Sequence, residues 1–211
     1  MEKDNWQEYF IEGTNTLKNK FNILDSKELE EKEKEITLKK LSYLNLFPIE
    51  GNFDDKHLKE IHKFLFDDIY FFAGEYRKCT MAKTTRNFYD PEIIEDLLKK
   101  RLSQMNEEVK DVLSVRMYSF FLSKVYYDLM TIHPFREGNG RSVREFLREF
   151  VLAKNSILLF EDVSLDFSKM NKNNFLLAVE QKFVYPSLLE EEFYKALVPV
   201  KTKTQENGKL I

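Results

Sequence analysis

Apolar residues recur along this chain at helical intervals far more than at alternate positions, so the pattern predicts helices rather than strands. Over residues 27–44, Leu29, Ile36, Leu41 and Leu44 form the broken apolar side of a heavily charged helix, which Leu46-Phe47-Pro48 ends. Asp54 is placed to cap a second helix, and its apolar positions Leu58, Ile61, Phe64, Leu65, Ile69 and Phe72 predict that it runs to Gly74. Residues 75–90 lack that period. Pro91 then stands at a helix start, followed by Ile93, Ile94, Leu97, Leu98, Leu102 and Met105. The most apolar helix is expected over 112–131, where Tyr118, Phe120, Phe121, Leu122, Val125, Tyr126, Leu129 and Met130 read as core. It delivers His133 at its C-terminal end. Further helices are expected over 141–154, 170–183 and 187–198, with a loosely held tail from Pro199 onward. The fold class is all-α and compact.

Composition narrows the classes of function. The 211 residues are enough for one domain with a sizeable core, and 6 glycines and 5 prolines leave room for long helices. Lys plus Arg number 33 against 36 Asp plus Glu, so no overall basic field recruits nucleic acid or an anionic membrane. The 19 Phe and 10 Tyr therefore read as core material rather than a base-stacking surface. A single cysteine, Cys79, cannot form an internal disulfide, the leading residues Glu2, Lys3 and Asp4 give no apolar signal region, and no run reaches the length of a membrane span. The expected location is cytoplasmic and reducing.

Candidate chemistry concentrates in His133-Pro-Phe-Arg-Glu-Gly-Asn-Gly-Arg-Ser-Val-Arg144. Glycines on both sides of Asn139 let successive backbone N–H groups turn toward one point, and the start of the following helix adds its unpaired donors and positive dipole end. Gly138, Asn139 and Gly140 are thus candidate donors to a phosphate. Arg141 and Arg144 lie one helical turn apart and are expected to reach the same side of that anion. Glu137 is a hard oxygen ligand where a Mg²⁺ ion bridging phosphates would need one. His133 is the segment's one base that titrates near neutral pH, suited to take a proton from a protein hydroxyl. Phe135 reads as an anchor of the loop in the core.

As an ordered string this segment matches the signature H-x-F-x-(D/E)-G-N-G-R-x-x-R and resembles the Fic (filamentation induced by cAMP) family at every fixed position. The likeness extends upstream, where Gly51-Asn52-Phe53-Asp54, His57-Leu58-Lys59-Glu60-Ile61-His62, Leu65-Phe66-Asp67-Asp68-Ile69-Tyr70 and Ala73-Gly74-Glu75-Tyr76-Arg77 resemble that family's first core helix and its exit. Lys83 to Phe88 resembles the family's flap, a small β-hairpin that clamps the target. The resemblance implies a Fic fold with an N-terminal helical extension at 1–45, a core domain at 46–198 and a tail at 199–211.

The reaction it implies is transfer of AMP from ATP, with Mg²⁺, to a Ser, Thr or Tyr hydroxyl of a target protein, His133 serving as base. Glycine at 140 favours that outcome, because the Doc branch carries lysine there and transfers phosphate. The flap resemblance makes Lys83 and Thr84 candidates for target or nucleotide contact. The family's inhibitory helix, (S/T)-x-x-x-E-(G/N), sets a glutamate against the second motif arginine, here Arg144. Thr202-x-x-x-Glu206-Asn207 fits that pattern in a Lys-rich tail, and Ser26-x-x-x-Glu30 fits in part because Glu31 follows. The organisation more resembles the toxin of a toxin–antitoxin pair, its inhibitory helix supplied by a separate small antitoxin. Two alternatives stand beside this reading: a catalytically idle regulatory module on the same fold, and an enzyme that uses UTP, GTP or a CDP-linked donor.

Overall fold

The structure, a computed structural model, describes residues 6–83, 86–180 and 187–200, with the backbone alone at Trp6, Ala82, Lys83, Arg86 and Asn87. Seven α-helices are described: α1 Ser26–Leu46, α2 Asp55–Phe66, α3 Ile94–Glu108, α4 Val115–Ile132, α5 Asn139–Lys154, α6 Lys172–Glu180 and α7 Leu188–Ala196. Most begin where the sequence supplies a cap. Asp25 accepts from the N–H groups of Lys27 and Glu28 at the head of α1, Asp54 from His57 at α2, and Ser114 from Met117 at α4. Asp90 caps the short 3-10 turn of Pro91–Ile93 that leads into α3.

The core is built around α4, which packs against α3, α5 and α7, while α2 lies on α5 and α1 on α2. Tyr118, Phe121, Leu122, Val125, Tyr126 and Leu129 of α4 are buried, as the sequence predicts. Phe120 is not. It is 58% exposed, and with Met117 one turn earlier it lies on the outer side of α4.

Helix α2 also departs from expectation, ending at Phe66 rather than near Gly74. Beyond Phe66 the chain turns: the Ile69 and Tyr70 N–H groups both donate to the Phe66 carbonyl, the Ile69 carbonyl accepts from Lys20, and the Gly74 N–H comes back to His62 Nδ1. Ile69 and Tyr70 still reach the core through the resulting turns.

Two small antiparallel sheets complete the fold. Strands β1 Ala82–Lys83 and β2 Arg86–Asn87 form the expected hairpin. Strands β3 Val163–Leu165 and β4 Leu197–Pro199 form a second sheet that the hydrophobic pattern does not reveal, because three residues are too few to register a period of two. That sheet, together with a hydrogen bond from the Val200 N–H to the Asp162 carbonyl, ties down the first two residues assigned to the tail. Thr84, residues 181–186, and Thr202, Glu206 and Asn207 lie outside the described residues.

Candidate active site

His133 ends α4 in the left-handed region, at φ 51°, a conformation that costs a non-glycine residue energy and persists only where its surroundings impose it. The surroundings are unusually specific. Arg77, almost wholly buried, donates from Nε to the His133 carbonyl at 2.8 Å, from Nη1 to the Cys79 carbonyl at 2.7 Å and from Nη2 to the Tyr89 carbonyl, while its backbone N–H reaches the Pro134 carbonyl at 2.8 Å. One guanidinium thus joins the start of the loop to both ends of the segment that carries the hairpin. The His133 ring lies flat on Phe88 at the hairpin's exit, with centroids 4.0 Å apart and planes 13° apart.

The loop that follows is closed by Asn139. Its side chain donates to the Phe135 carbonyl at 2.7 Å and accepts from the Phe135 N–H at 2.9 Å, so the amide is committed to the loop and only its backbone N–H faces a ligand role. Gly138 caps α5 at φ 81°, and a Cβ there would stand 2.3 Å from the buried Phe66 ring, which excludes any other residue. The first helical bond of α5 runs from Ser142 N–H to the Gly138 carbonyl, so the N–H groups of Asn139, Gly140 and Arg141 belong to the turn that no carbonyl of the helix can serve. A Cβ at Gly140 would lie 3.1 Å from Arg144 Nη1, so a longer side chain at 140 would press on that arginine.

The two arginines, one helical turn apart, meet different neighbours. Arg141 turns toward α1, where Nη2 donates to Glu33 Oε1 at 2.5 Å and Nη1 reaches Thr37 Oγ1 at 3.4 Å, and its guanidinium sits 4.8 Å above the Phe66 ring. Arg144 lies against the loop instead, its Nη1 over the Gly140 backbone, and its charge faces the Tyr126 hydroxyl of α4. Glu137 accepts from the Gly138 N–H at 2.8 Å and leaves its partly exposed carboxylate at the mouth of a cleft of roughly 450 Å³, bounded by Glu33, Tyr70, Arg141 and the residues before α1.

Beneath the loop lies His62 of α2, stacked on Phe135 with centroids 3.8 Å apart. Its Nδ1 accepts from the Gly74 N–H at 2.8 Å, which leaves the Nε2 proton to donate to the Glu137 carbonyl at 2.9 Å. Burial pulls its pKa down from 6.5 to about 4, partly offset by that bond to Glu137. Because the unfolded chain takes up this proton near 6.5 and the folded chain only near 4, acid favours unfolding between those values. Stability is therefore expected to fall by about 3 kcal/mol from pH 7 to pH 4 through this group, since each pKa unit is worth about 1.4 kcal/mol. Urea unfolding across that range should lose this part of its slope in His62→Asn, and an unchanged slope would exclude the role.

Residues that sequence reasoning passed over as functional are Glu33, Tyr70, Phe88, Arg77 and His62. Glu33 had a signal, since it falls at helical spacing between Leu29 and Thr37 on the side of α1 that is buried. Lys83 lies in β1, and its side chain, like all of Thr84, lies outside the described residues. No helix among the described residues is long and apolar enough to cross a membrane.

Residues 52–151 match the Fic/DOC family. Protein adenylyltransferase VbhT of Bartonella schoenbuchensis is 34% identical over 136 residues, which make up 64% of this chain and 28% of that protein. The probable protein adenylyltransferase y4lH of Sinorhizobium fredii is 29% identical over 81% of this chain and 85% of its own length. Among solved structures, the BepC effector of Bartonella tribocorum, with bound AMPPNP, superposes with a TM-score of 0.81 at 26% identity over 92% of this chain and 98% of that one. The N-terminal Fic domain of a Bep effector from Bartonella quintana, with bound ADP, gives 0.83 at 26% identity over 92% and 96%.

Proposed function

The chain belongs to the Fic/DOC family, and from that premise we propose that it is a protein adenylyltransferase, moving AMP from ATP to a Ser, Thr or Tyr hydroxyl of a target protein. The observation that carries this reading is the placement of the His133 imidazole beside a helix N-terminus whose first two turns carry Arg141 and Arg144. His133 takes the proton of the target hydroxyl, its oxygen bonds to the α-phosphorus, the bond from that phosphorus to the bridging oxygen breaks, and pyrophosphate leaves. Positioning and charge neutralisation supply most of the barrier reduction in such a displacement. Asn139, Gly140 and Arg141 offer backbone N–H groups to the phosphates, the Gly138 N–H expected among them being taken by Glu137 Oε1, and the side chains of Arg141 and Arg144 neutralise the leaving end. Phe88, flat against the His133 ring, holds the base in place from the hairpin, and Lys83 and Thr84 of the same hairpin are assigned to the target or nucleotide side.

Among the described residues no group of three or more His, Cys, Asp or Glu could cage a metal on its own. A lone carboxylate beside a phosphate site is, however, the donor set Mg²⁺ takes when substrate phosphates and water complete its octahedron. Glu137 would hold it, and the ion would offset charge across two phosphates. A cytoplasmic location belongs to the same reading; the chain has one cysteine, Cys79, and so forms no internal disulfide.

Control by a separate antitoxin is the regulatory part of the proposal. In its support, Glu30 of the partial Ser26 pattern is exposed at the rim of the cleft that Glu137 and Arg141 line, and the α1 carboxylate buried in the site, Glu33, meets Arg141 rather than Arg144.

Incubation with a lysate and ATP tests the reaction. Label at the α-phosphate is expected on a protein target and label at the γ-phosphate is not, with the same rate after removal of residues 201–211. Transfer of the γ label would overturn the reading of Gly140, and strong activation on truncation would assign the inhibitor to the tail. Labelled UTP, GTP and a CDP-linked donor in parallel separate the donor alternatives, and a chain that labels nothing favours the idle module.

A further inference from the structure

We propose that Glu33 is a positioning residue for Arg141, so that helix α1, which precedes the matched residues 52–151, completes the phosphate site. The inference rests on the adenylyltransferase reading only in taking Arg141 as a nucleotide ligand. Helix α1 is dense in charge, yet of its acidic residues only Glu33 is buried, its side chain 9% exposed. A buried carboxylate is costly unless both oxygens are satisfied. Here both are: Oε1 accepts from Arg141 Nη2 at 2.5 Å, and Oε2 accepts from the Tyr70 hydroxyl. Burial and the adjacent Glu33 push the Tyr70 pKa up, so the hydroxyl remains a donor. The carboxylate is thereby braced from behind before it holds the arginine.

The guanidinium is fixed on three sides, by Glu33, by Thr37 one turn further along α1, and by the Phe66 ring below it. An arginine carries five donor N–H groups in a rigid fork, so one short contact to Glu33 orients the group and leaves donors for an incoming phosphate. A purely architectural role is already filled nearby. Arg148, on the same helix as Arg141, donates to the Leu44 carbonyl at 2.9 Å and ties α5 to the far end of α1. The Glu33 bond goes instead to the arginine at the anion loop.

A double-mutant cycle read by nucleotide binding tests this on the full chain, with Mg²⁺ and AMPPNP measured by calorimetry and thermal unfolding followed in parallel. Glu33→Gln is expected to weaken AMPPNP about tenfold in the otherwise unaltered chain and less than about twofold when Arg141 is alanine, the non-additivity of two residues that act as one unit. Tyr70→Phe, which keeps the charge pair and removes the brace, is expected to weaken binding about threefold with the same dependence on Arg141. It serves as the second variant should Glu33→Gln fail to fold. Tighter nucleotide binding in Glu33→Gln would overturn the proposal in favour of a carboxylate that competes with phosphate. Equal losses in both backgrounds would overturn it in favour of a structural contact. A chain that binds AMPPNP as expected yet transfers no label sinks the proposed reaction alone, and one that binds no nucleotide sinks both.

Discussion

Replacing His133 by alanine is expected to remove AMP transfer almost entirely while leaving the fold and nucleotide binding in place. The side chain's proposed work is to take the target hydroxyl's proton, a contribution generally worth roughly 10²–10⁴ in rate. Its backbone role is separate. Arg77 grips the carbonyl of residue 133, and the Leu129 carbonyl accepts its N–H, so both contacts survive the substitution. The left-handed φ of 51° is retained at similar cost, since alanine is no better suited to it than histidine. What alanine loses is the ring against Phe88, so the hairpin exit should loosen in the variant. A rate of labelling with α-labelled ATP within tenfold of the parent chain would exclude His133 as the base. Intact AMPPNP binding beside a lost rate would separate chemistry from positioning.

The parts of this site that were legible in the sequence are those whose function depends on order along the chain. The glycines about Asn139, the arginines a turn apart and a histidine at the end of an apolar helix all follow from local rules of turn and cap formation, and the structure keeps them contiguous from His133 to Arg144. What escaped depends on burial from elsewhere in the chain. Glu33 stands in a run of alternating Glu and Lys, and its spacing from Leu29 marks the buried side of α1 without saying that it meets Arg141. Arg77 reads as the polar end of a helix exit and proves to be a buried clamp. The spacing of Arg141 and Arg144 puts them one turn apart at the start of α5, and it could not foresee that Glu33 draws Arg141 toward α1. At the level of the fold, Phe120 and the early end of α2 show the same limit: periodicity marks a face as apolar without saying what covers it.

Glu137→Gln is expected to lower transfer by on the order of 100-fold or more, since loss even of a metal's outer partners costs 10–100-fold. The substitution isolates charge from shape. A glutamine carbonyl can still accept from the Gly138 N–H, now 2.8 Å from Glu137 Oε1, so the turn into α5 should hold and thermal stability should change little. The variant lacks the anionic oxygen that a hard divalent cation requires between two phosphates. It also removes a carboxylate 3.5 Å from Arg141 Nη2, leaving that guanidinium to Glu33 and strengthening its pull on phosphate, so nucleotide binding without metal should be equal or tighter. The signature is thus a split: weaker dependence of AMPPNP binding on Mg²⁺, a sharply reduced rate, and partial recovery of that rate at excess Mg²⁺. A variant with lowered stability and an undiminished rate would instead assign Glu137 to the turn alone, and full activity of the parent chain in a strong chelator would exclude the metal altogether.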